Sequence, residues 1–391
     1  MGVALLIPAL FAISETAANV VVDADPQLAS TLAPGSGEVL AARAKSEFTL
    51  KPSADDGSLA SALARKALLN DPTAVDAVIV LGQQAALRGE VKRAERLMQY
   101  ADSLSRRELR AHLWSIEEAV ARGDIKGAVA RYDLAMRTSR TAPEVLFPPL
   151  RRGIQEELVS QAFIEVFKEN GEWAPAFFEN IGKNPDYPIA SARFLTKVSD
   201  EGLAVQRSAK TDLVNALFEA GNYDEAWALF VSMVNGAQRV GVQNGTFQEA
   251  PNPPSRLDWQ IVNDDGVYTS LIPRKDGGVL EFQARASTDR EVAFQFLLLN
   301  EGTYHFSALG EIYSGDFEQL KWSLMCLKTV EVGSISARQK KGGRLSFEGV
   351  FSIPDKCSAQ KLTLKSSSRN RNDPLVGNIQ KVMIVELVGP D

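Results

Sequence analysis

Histidine and cysteine, which ligate metals and take part in catalytic triads, are scarce in this chain. Its 391 residues include two histidines and two cysteines, whereas a zinc site takes about four nitrogen, sulfur or oxygen ligands at close spacing. A Ser-His-Asp or Cys-His arrangement would have to use His112 or His305. His112 falls in a predicted helix and His305 in a predicted strand, so we expect both to be structural or surface residues. The sequence therefore predicts no metal, no cofactor and no catalytic residue.

Carboxylates are too common here for their presence to mark an active site. A glycan hydrolase needs two acids at roughly 5–9.5 Å, and nothing in the sequence places such a pair together. Asp264 with Asp265, and Asp289 with Glu291, are the adjacent acids that calcium would need, but acids at a turn are more often simply solvated. We therefore predict neither a calcium site nor an enzyme.

The two cysteines, Cys326 and Cys357, both lie in the C-terminal third of the chain. In an oxidising compartment we expect them to form a disulfide. Closing a loop of that size is worth about 3–4 kcal/mol in the chain-entropy model. The alternative is a pair of unpaired buried thiols.

Aromatic side chains are the candidates for contact with a sugar, because a flat ring packs well against the C–H face of a sugar. Trp259 and Trp322 share a side with aliphatic residues of their strands, so we expect them in the core. Tyr268, Tyr304 and Tyr313 lie near turns and are the predicted surface residues for glycan contacts.

The overall composition is that of an ordinary folded protein. Hydrophobic residues make up 45% and charged residues 24% of the chain, and its length allows two domains. The net charge of -6 argues against nucleic acid as a partner, because nucleic-acid readers carry a basic surface.

A phrase of about 34 residues occurs twice between positions 75 and 140, which is the period of a helix–turn–helix repeat. A third copy of the same pattern comes late in the chain, and a weaker one lies between. The small residues that recur are Gly89, Ala94 and Ala101 in the first copy, Gly123, Ala128 and Ala135 in the second, and Gly221 and Ala226 in the third. We expect them to let the two helices of each repeat pack closely.

With larger residues such as Met98, Tyr132 and Phe230, these positions resemble the tetratricopeptide repeat family. The second copy departs from the family pattern, because it has Ser115 and Ile116 where Leu-Gly is usual. The resemblance covers roughly half of the chain. It implies a curved helical solenoid over residues 26–240, with a groove that holds a protein partner. The alternative is that the array is only a spacer.

Residues 1–22 contain an uncharged apolar run at positions 2–13. That length is typical of a signal-peptide core, since a membrane span takes about 20 residues. Extending the run to Val22 reaches that length but includes Glu15 and Asn19. We expect a retained membrane anchor, with a cleaved signal or an ordinary buried helix as the alternatives. Either export interpretation places the rest of the chain outside the cytoplasm.

The proline-rich segment 241–256 predicts a linker, because it has no apolar period. Beyond it the hydrophobic pattern alternates, and short segments separated by turn residues over 257–391 predict about eight or nine strands. A β-sandwich is expected, with a jelly roll as its form. The predicted fold class is therefore α + β multidomain, a helical solenoid followed by an all-β sandwich.

Three sets of alternating residues illustrate the predicted strands, each set sharing one side. The sets are Phe294, Phe296 and Leu298; Leu320, Trp322, Leu324 and Cys326; and Ile379, Lys381, Met383, Val385 and Leu387. The layout resembles galactose-binding-like and carbohydrate-binding-module sandwiches, with an early tryptophan strand at 257–259 and a turn into a strand at 301–304.

The whole arrangement is similar to accessory proteins of bacterial envelope polysaccharide clusters, which are generally non-catalytic. The segments that carry this resemblance, besides the repeats and the apolar N-terminus, are 322–326 and 354–357. It implies an adaptor on the periplasmic side of the envelope, anchored to the inner membrane or exported. Its repeats would hold a protein partner and its β-domain a glycan or a second protein, in exopolysaccharide assembly or export. The alternative is a lectin-like protein in which the repeats only position the β-domain.

Overall fold

The computed structural model describes residues 3–264, 266–285, 289–327, 331–340, 343–367 and 374–387, with side chains from residue 12 onward. It divides into two compact units, residues 1–173 and 174–391. Helices occupy the first unit and the start of the second, and two antiparallel sheets follow. This confirms the predicted α + β architecture of a helical region followed by a β-sandwich.

The first unit is built from helices that begin at identifiable capping residues. Ser36, Ser58 and Asp124 each accept a hydrogen bond from the backbone N–H three residues later, which satisfies a donor that the helix itself leaves free. The helices are α1 (Val3–Val21), α2 (Pro26–Leu32), α3 (Gly37–Leu50), α4 (Leu59–Asn70), α5 (Val75–Leu87), α6 (Val91–Leu104), α7 (Leu109–Ala121), α8 (Ile125–Thr138), α9 (Ala142–Gly153) and α10 (Glu157–Asn170).

Among the residues that the structure describes, no helix combines the length and the apolar character needed to cross a membrane. The anchor or signal predicted for 1–22 falls largely outside that description, because it depends on the side chains of residues 1–11.

The recurring alanines and the recurring glycines have different roles. The alanines are buried between helices: Ala94, Ala101, Ala128, Ala135 and Ala226 are all at most 5% exposed. The glycines instead end helices. Gly89, Gly123 and Gly221 adopt φ of 75°, 72° and 81°, and a Cβ at any of them would meet no atom within 4 Å. The prediction that these glycines allow close packing is therefore wrong, since each is required by the left-handed backbone that closes the turn.

The second unit opens with four helices, α11 (Ala174–Lys183), α12 (Pro188–Asp200), α13 (Arg207–Glu219) and α14 (Tyr223–Val231). Eleven strands follow within the described residues. They are β1 (Gln260–Ile261), β2 (Val267–Ile272), β3 (Val279–Ala284), β4 (Arg290–Leu297), β5 (Gly302–Ser314), β6 (Leu320–Cys326), β7 (Glu331–Ser336), β8 (Arg338–Gln339), β9 (Arg344–Ile353), β10 (Gln360–Ser366) and β11 (Leu375–Glu386).

The strands form two antiparallel sheets that enclose one core. One sheet has the order β1-β4-β10-β6-β7, and the other has the order β2-β3-β11-β5-β9-β8. Trp322 is fully buried between them and lies edge-on to Trp259, with ring centroids 6.0 Å apart. Both tryptophans are therefore core residues, as their strand positions predict.

The segment 241–256, which the sequence predicts as a linker, is packed into the sandwich. Phe247 is fully buried, with its ring 5.4 Å from that of Trp259. Gly245 accepts a hydrogen bond from Val382 N (2.8 Å), and a Cβ at Gly245 would lie 2.2 Å from Val382 O. These contacts make the segment part of the β-domain.

Strand parity is shifted in β11. A bulge between Ile379 and Lys381 changes the register against β5, so Ile379 faces the core whereas Met383 and Val385 are 39% and 53% exposed. The alternation predicted across this whole strand is therefore wrong beyond Ile379, because an extra residue at a bulge reverses the side on which each following side chain lies.

Candidate functional site

The helices of the second unit are fixed to the sandwich by buried polar contacts. Asp258, 6% exposed, accepts hydrogen bonds from the backbone N–H and the hydroxyl of Ser255, both at 2.8 Å. Arg207 of α13 reaches the same carboxylate oxygen at 3.1 Å. On the outer face of β4, the ring of Phe296 lies 5.0 Å from that of Phe218 in α13. Helix and sheet therefore present their side chains to one another in a fixed geometry.

This arrangement forms a cleft of about 470 Å³ between the start of α14 and two loops of the sandwich. The helical wall is made by residues 221–225 and Arg239. The opposite wall is made by 298–301, between β4 and β5, and by 354–358, between β9 and β10. The volume falls in the range of about 300–1,000 Å³ that is usual for small-molecule sites.

Most groups that line the cleft are polar. Asn222 is the N-cap residue of α14, yet its side chain makes no capping hydrogen bond, so its amide remains available. Asn300 and Ser358 are exposed on the opposite wall. Tyr223 is the aromatic residue among the lining groups. It is partly buried, and its ring packs edge-on against Phe218 at 5.1 Å.

Three buried groups hold the two sandwich loops in place. Gln360, fully buried, receives a hydrogen bond from Leu299 N (2.9 Å) and donates to Leu299 O (3.1 Å) and Cys357 O (2.5 Å). The disulfide between Cys326 and Cys357, predicted from the sequence, is present and ties the second loop to β6. One side chain and one covalent bond thus join both loops and an adjacent strand.

The third buried group is Tyr304, which lies beneath the first loop. Its hydroxyl donates to Asn300 O at 3.0 Å. Burial raises the pKa of this hydroxyl above its ordinary value of 10.0, with the Glu386 carboxylate acting in the same direction. The hydroxyl therefore stays protonated at neutral pH and keeps its donor role.

The three tyrosines predicted as glycan contacts are not brought together. Tyr268 and Tyr313 are 63% and 60% exposed in the β2-to-β8 sheet, and neither lines the cleft. Tyr304 is fully buried, so the prediction that it lies at the surface is corrected. Its position in β5 alternates with exposed residues and points it inward, where it supports the cleft from below.

Sequence reasoning missed the residues that do line the cleft. Tyr223 and Asn222 directly follow Gly221, the turn glycine of the third repeat match. This position could have identified them from the sequence, because residues that directly follow the turn between two helices are exposed at the end of the helix pair. Nothing in the sequence connects them with 298–301 or 354–358.

Among the residues that the structure describes, no group of three or more His, Cys, Asp and Glu side chains is placed to hold a metal ion. Asp265, one of the paired acids considered for calcium, lies outside the described residues. His112 is fully buried with its Nε2 2.9 Å from Arg106 O, and His305 lies 3.7 Å from a Glu348 carboxylate oxygen.

A second concave surface lies wholly within the first unit. This apolar groove has a volume of about 340 Å³ and is lined by residues of α3, α5, α6 and α7, among them Phe48, Leu87, Met98, Leu113 and Trp114. Leu87 is 54% exposed there.

No protein-family model and no curated protein matches this sequence. Solved structures resemble part of it, among them two that are covered over nearly their whole length. One, described as "CBM4 structure and function", shares 14% identity, covers 37% of this chain and 99% of its own, and has a TM-score of 0.30. The other, TmCBM61 in complex with beta-1,4-galactotriose, shares 12% identity, covers 38% and 100%, and has a TM-score of 0.26. Since both TM-scores are low, what those modules bind says nothing by itself about this chain.

Proposed function

We propose that the protein is a non-catalytic glycan-binding adaptor and that the cleft in its second unit holds an oligosaccharide. The observation that carries this proposal is the lining of the cleft. Amide, hydroxyl and carboxylate groups converge there with one partly exposed aromatic ring, and these groups match the hydroxyls and the C–H faces of a sugar.

A rigid frame supports the same proposal. Gln360, the disulfide and the Tyr304 hydroxyl fix both sandwich loops before any ligand arrives. Preorganised groups bind more tightly, because less conformational freedom is lost on association. The helical wall is equally necessary, so α14 acts as part of the binding site as well as a connection to the repeats.

Titration of the full chain with a panel of oligosaccharides, followed by calorimetry, tests the proposal. We expect saturable binding to at least one member and about tenfold weaker binding after Tyr223→Ala, because a central aromatic contact commonly contributes that much. Tyr223→Phe preserves the packing against Phe218 and should lose less. Tyr268→Ala removes a more exposed tyrosine away from the cleft and should change nothing.

Absence of binding across the panel would contradict the proposal. So would a sugar whose affinity depends on Tyr268 and not on Tyr223, because the site would then lie on the open sheet.

The adaptor half of the proposal concerns the first unit. We propose that its apolar groove takes apolar side chains of a protein partner and that the chain acts in the bacterial cell envelope, on the periplasmic side, in exopolysaccharide assembly or export. The resemblance to tetratricopeptide repeats and the exposed Leu87 beside Trp114 support this.

Affinity purification of the cross-linked full chain from envelope fractions of its native host tests this half. We expect one protein partner to be enriched and to be lost with Leu87→Asp, since a carboxylate would be desolvated in an apolar contact. Leu69→Asp is the matched control, because Leu69 is 84% exposed and lies outside the groove. Equal capture by both variants, or recovery of the chain in the cytosolic fraction only, would contradict it.

A further inference from the structure

The charges of the cleft are unequal. Asp224, Glu225, Glu301 and Asp355 line it together with two cations, Arg239 and Lys356. Arg239 is occupied, because its guanidinium is paired with the Asp224 carboxylate. The cleft therefore carries more negative than positive groups.

In the part of the chain that the structure describes, the remaining charged groups of the cleft are unpaired. Within the described ranges, Glu225, Glu301 and Asp355 take part in no ion pair and accept no side-chain hydrogen bond, and Lys356 likewise has no acidic partner. Some other carboxylates of this unit are paired, such as Glu291 with Lys361 (2.7 Å) and Glu219 with Arg256 (2.6 Å). Carboxylates that line a cleft, form no ion pair there and outnumber its cations favour a positively charged ligand.

We infer that the cleft selects an oligosaccharide that carries free amino groups, which become ammonium groups when protonated, over neutral or uronate-bearing chains. This inference rests on the proposed glycan-binding function and adds the chemical class of the sugar. An ammonium group donates charge-assisted hydrogen bonds to carboxylates, whereas a uronate would be repelled by the same groups.

Lys356 allows a test in which the affinity is expected to increase. This residue has φ of 67°, a conformation that asparagine tolerates better than most residues. Lys356→Asn therefore removes the unpaired cation without adding backbone strain. If the ligand is cationic, removal of this charge should tighten binding.

Calorimetric titration of the full chain with three probes tests the inference: a hexamer of β-1,4-linked glucosamine, its N-acetylated counterpart and a hexamer of galacturonic acid. We expect the glucosamine hexamer to bind about tenfold more tightly than the acetylated one and the uronate not to bind. The affinity of the glucosamine hexamer should fall as sodium chloride rises from about 0.1 M to about 1 M, because the screening length shrinks from about 10 Å to about 3 Å.

Substitutions of charged residues in the cleft test whether these groups cause the preference for the glucosamine hexamer. Glu225→Gln and Glu301→Gln should each weaken the glucosamine hexamer about threefold to fivefold, and Lys356→Asn should strengthen it by a similar factor. Glu348→Gln, an exposed acid outside the cleft, should have no effect.

The outcomes separate this inference from the function on which it rests. Equal or tighter binding of the acetylated or uronate hexamer, lost with Tyr223→Ala, would overturn the ammonium preference and keep the glycan site. If the glucosamine hexamer bound the cleft variants and the parent chain with equal affinity, the preference would be overturned as well, because the probe would then be attracted only by the overall negative charge. The proposed function itself fails if no oligosaccharide of the wider panel binds, or if binding depends on Tyr268 and not on Tyr223.

Discussion

Replacement of Phe247 by alanine is expected to lower the free energy of unfolding of the second unit by about 3–5 kcal/mol. The residue comes from a segment whose sequence predicts a linker, yet its ring is fully buried against Trp259. Its φ of 54° is rarely adopted by a bulky residue, and burial of the ring offsets that cost. Urea unfolding followed by tryptophan fluorescence measures the loss, because Trp259 and Trp322 lie in the same core.

Glu249→Ala is the matched control for Phe247→Ala. Glu249 is exposed in the same segment, and only its backbone groups are bonded, to the Asn244 side chain. The control should change the free energy of unfolding by less than about 0.5 kcal/mol. A similarly small effect of Phe247→Ala would show that 241–256 is a free linker after all.

Local patterns were the most predictable part of this fold. The repeat pattern located the turns at Gly89, Gly123 and Gly221, because a left-handed residue that ends a helix strongly favours glycine. The pattern does not say why glycine is needed at these turns. The reason is the left-handed backbone conformation and not a close approach of another helix. Alternation likewise predicted strands well, since one face of each strand must be buried.

What failed depends on contacts between distant segments. The side occupied by Phe294 and Phe296 was identified as shared, but that side faces α13 rather than the sandwich interior. Proline-rich composition suggested a linker at 241–256, but composition cannot show that a single phenylalanine of this segment is buried in the core. The bulge in β11 leaves no trace in the alternating pattern that surrounds it.

The cleft was beyond sequence reasoning for the same reason. Its walls come from three stretches far apart in the chain, near 221, 300 and 356. The sequence did mark two residues that support it, Tyr304 and Cys357, but assigned Tyr304 to the surface. A tyrosine near a turn and a tyrosine under a loop have the same neighbours in sequence, and only the strand's orientation separates them.

The structure also changes what each half of the chain contributes. The start of α14 and the turn before it supply one wall of the candidate glycan site, so the repeats do more than position the β-domain if the cleft is the site. An isolated fragment 257–391 would lack that wall and also Phe247. Residues 174–391 form the compact unit that binding experiments on a shorter chain should preserve.

Removal of the disulfide is the second change with a large expected effect. Cys326→Ala with Cys357→Ala should lower the free energy of unfolding by about 3–4 kcal/mol, because the closed loop no longer restricts the unfolded chain. The two cysteines are separated by 31 residues and are 5% and 6% exposed, so the native packing around small alanine side chains should largely persist. Denaturant midpoints measured with and without a dithiol reductant quantify the loss.

The consequence for the cleft separates a structural role from a functional one. Cys357 O accepts a hydrogen bond from Gln360, which also holds the first loop. We therefore expect the double variant to bind the glycan more weakly even at temperatures where it is fully folded, since the 354–358 wall loses its covalent tie to β6. The reduced parent chain should match the double variant in both stability and affinity. Identical unfolding midpoints for the oxidised and reduced parent chain would contradict the stabilising role, and unchanged affinity in the folded double variant would show that the bond does not position the cleft.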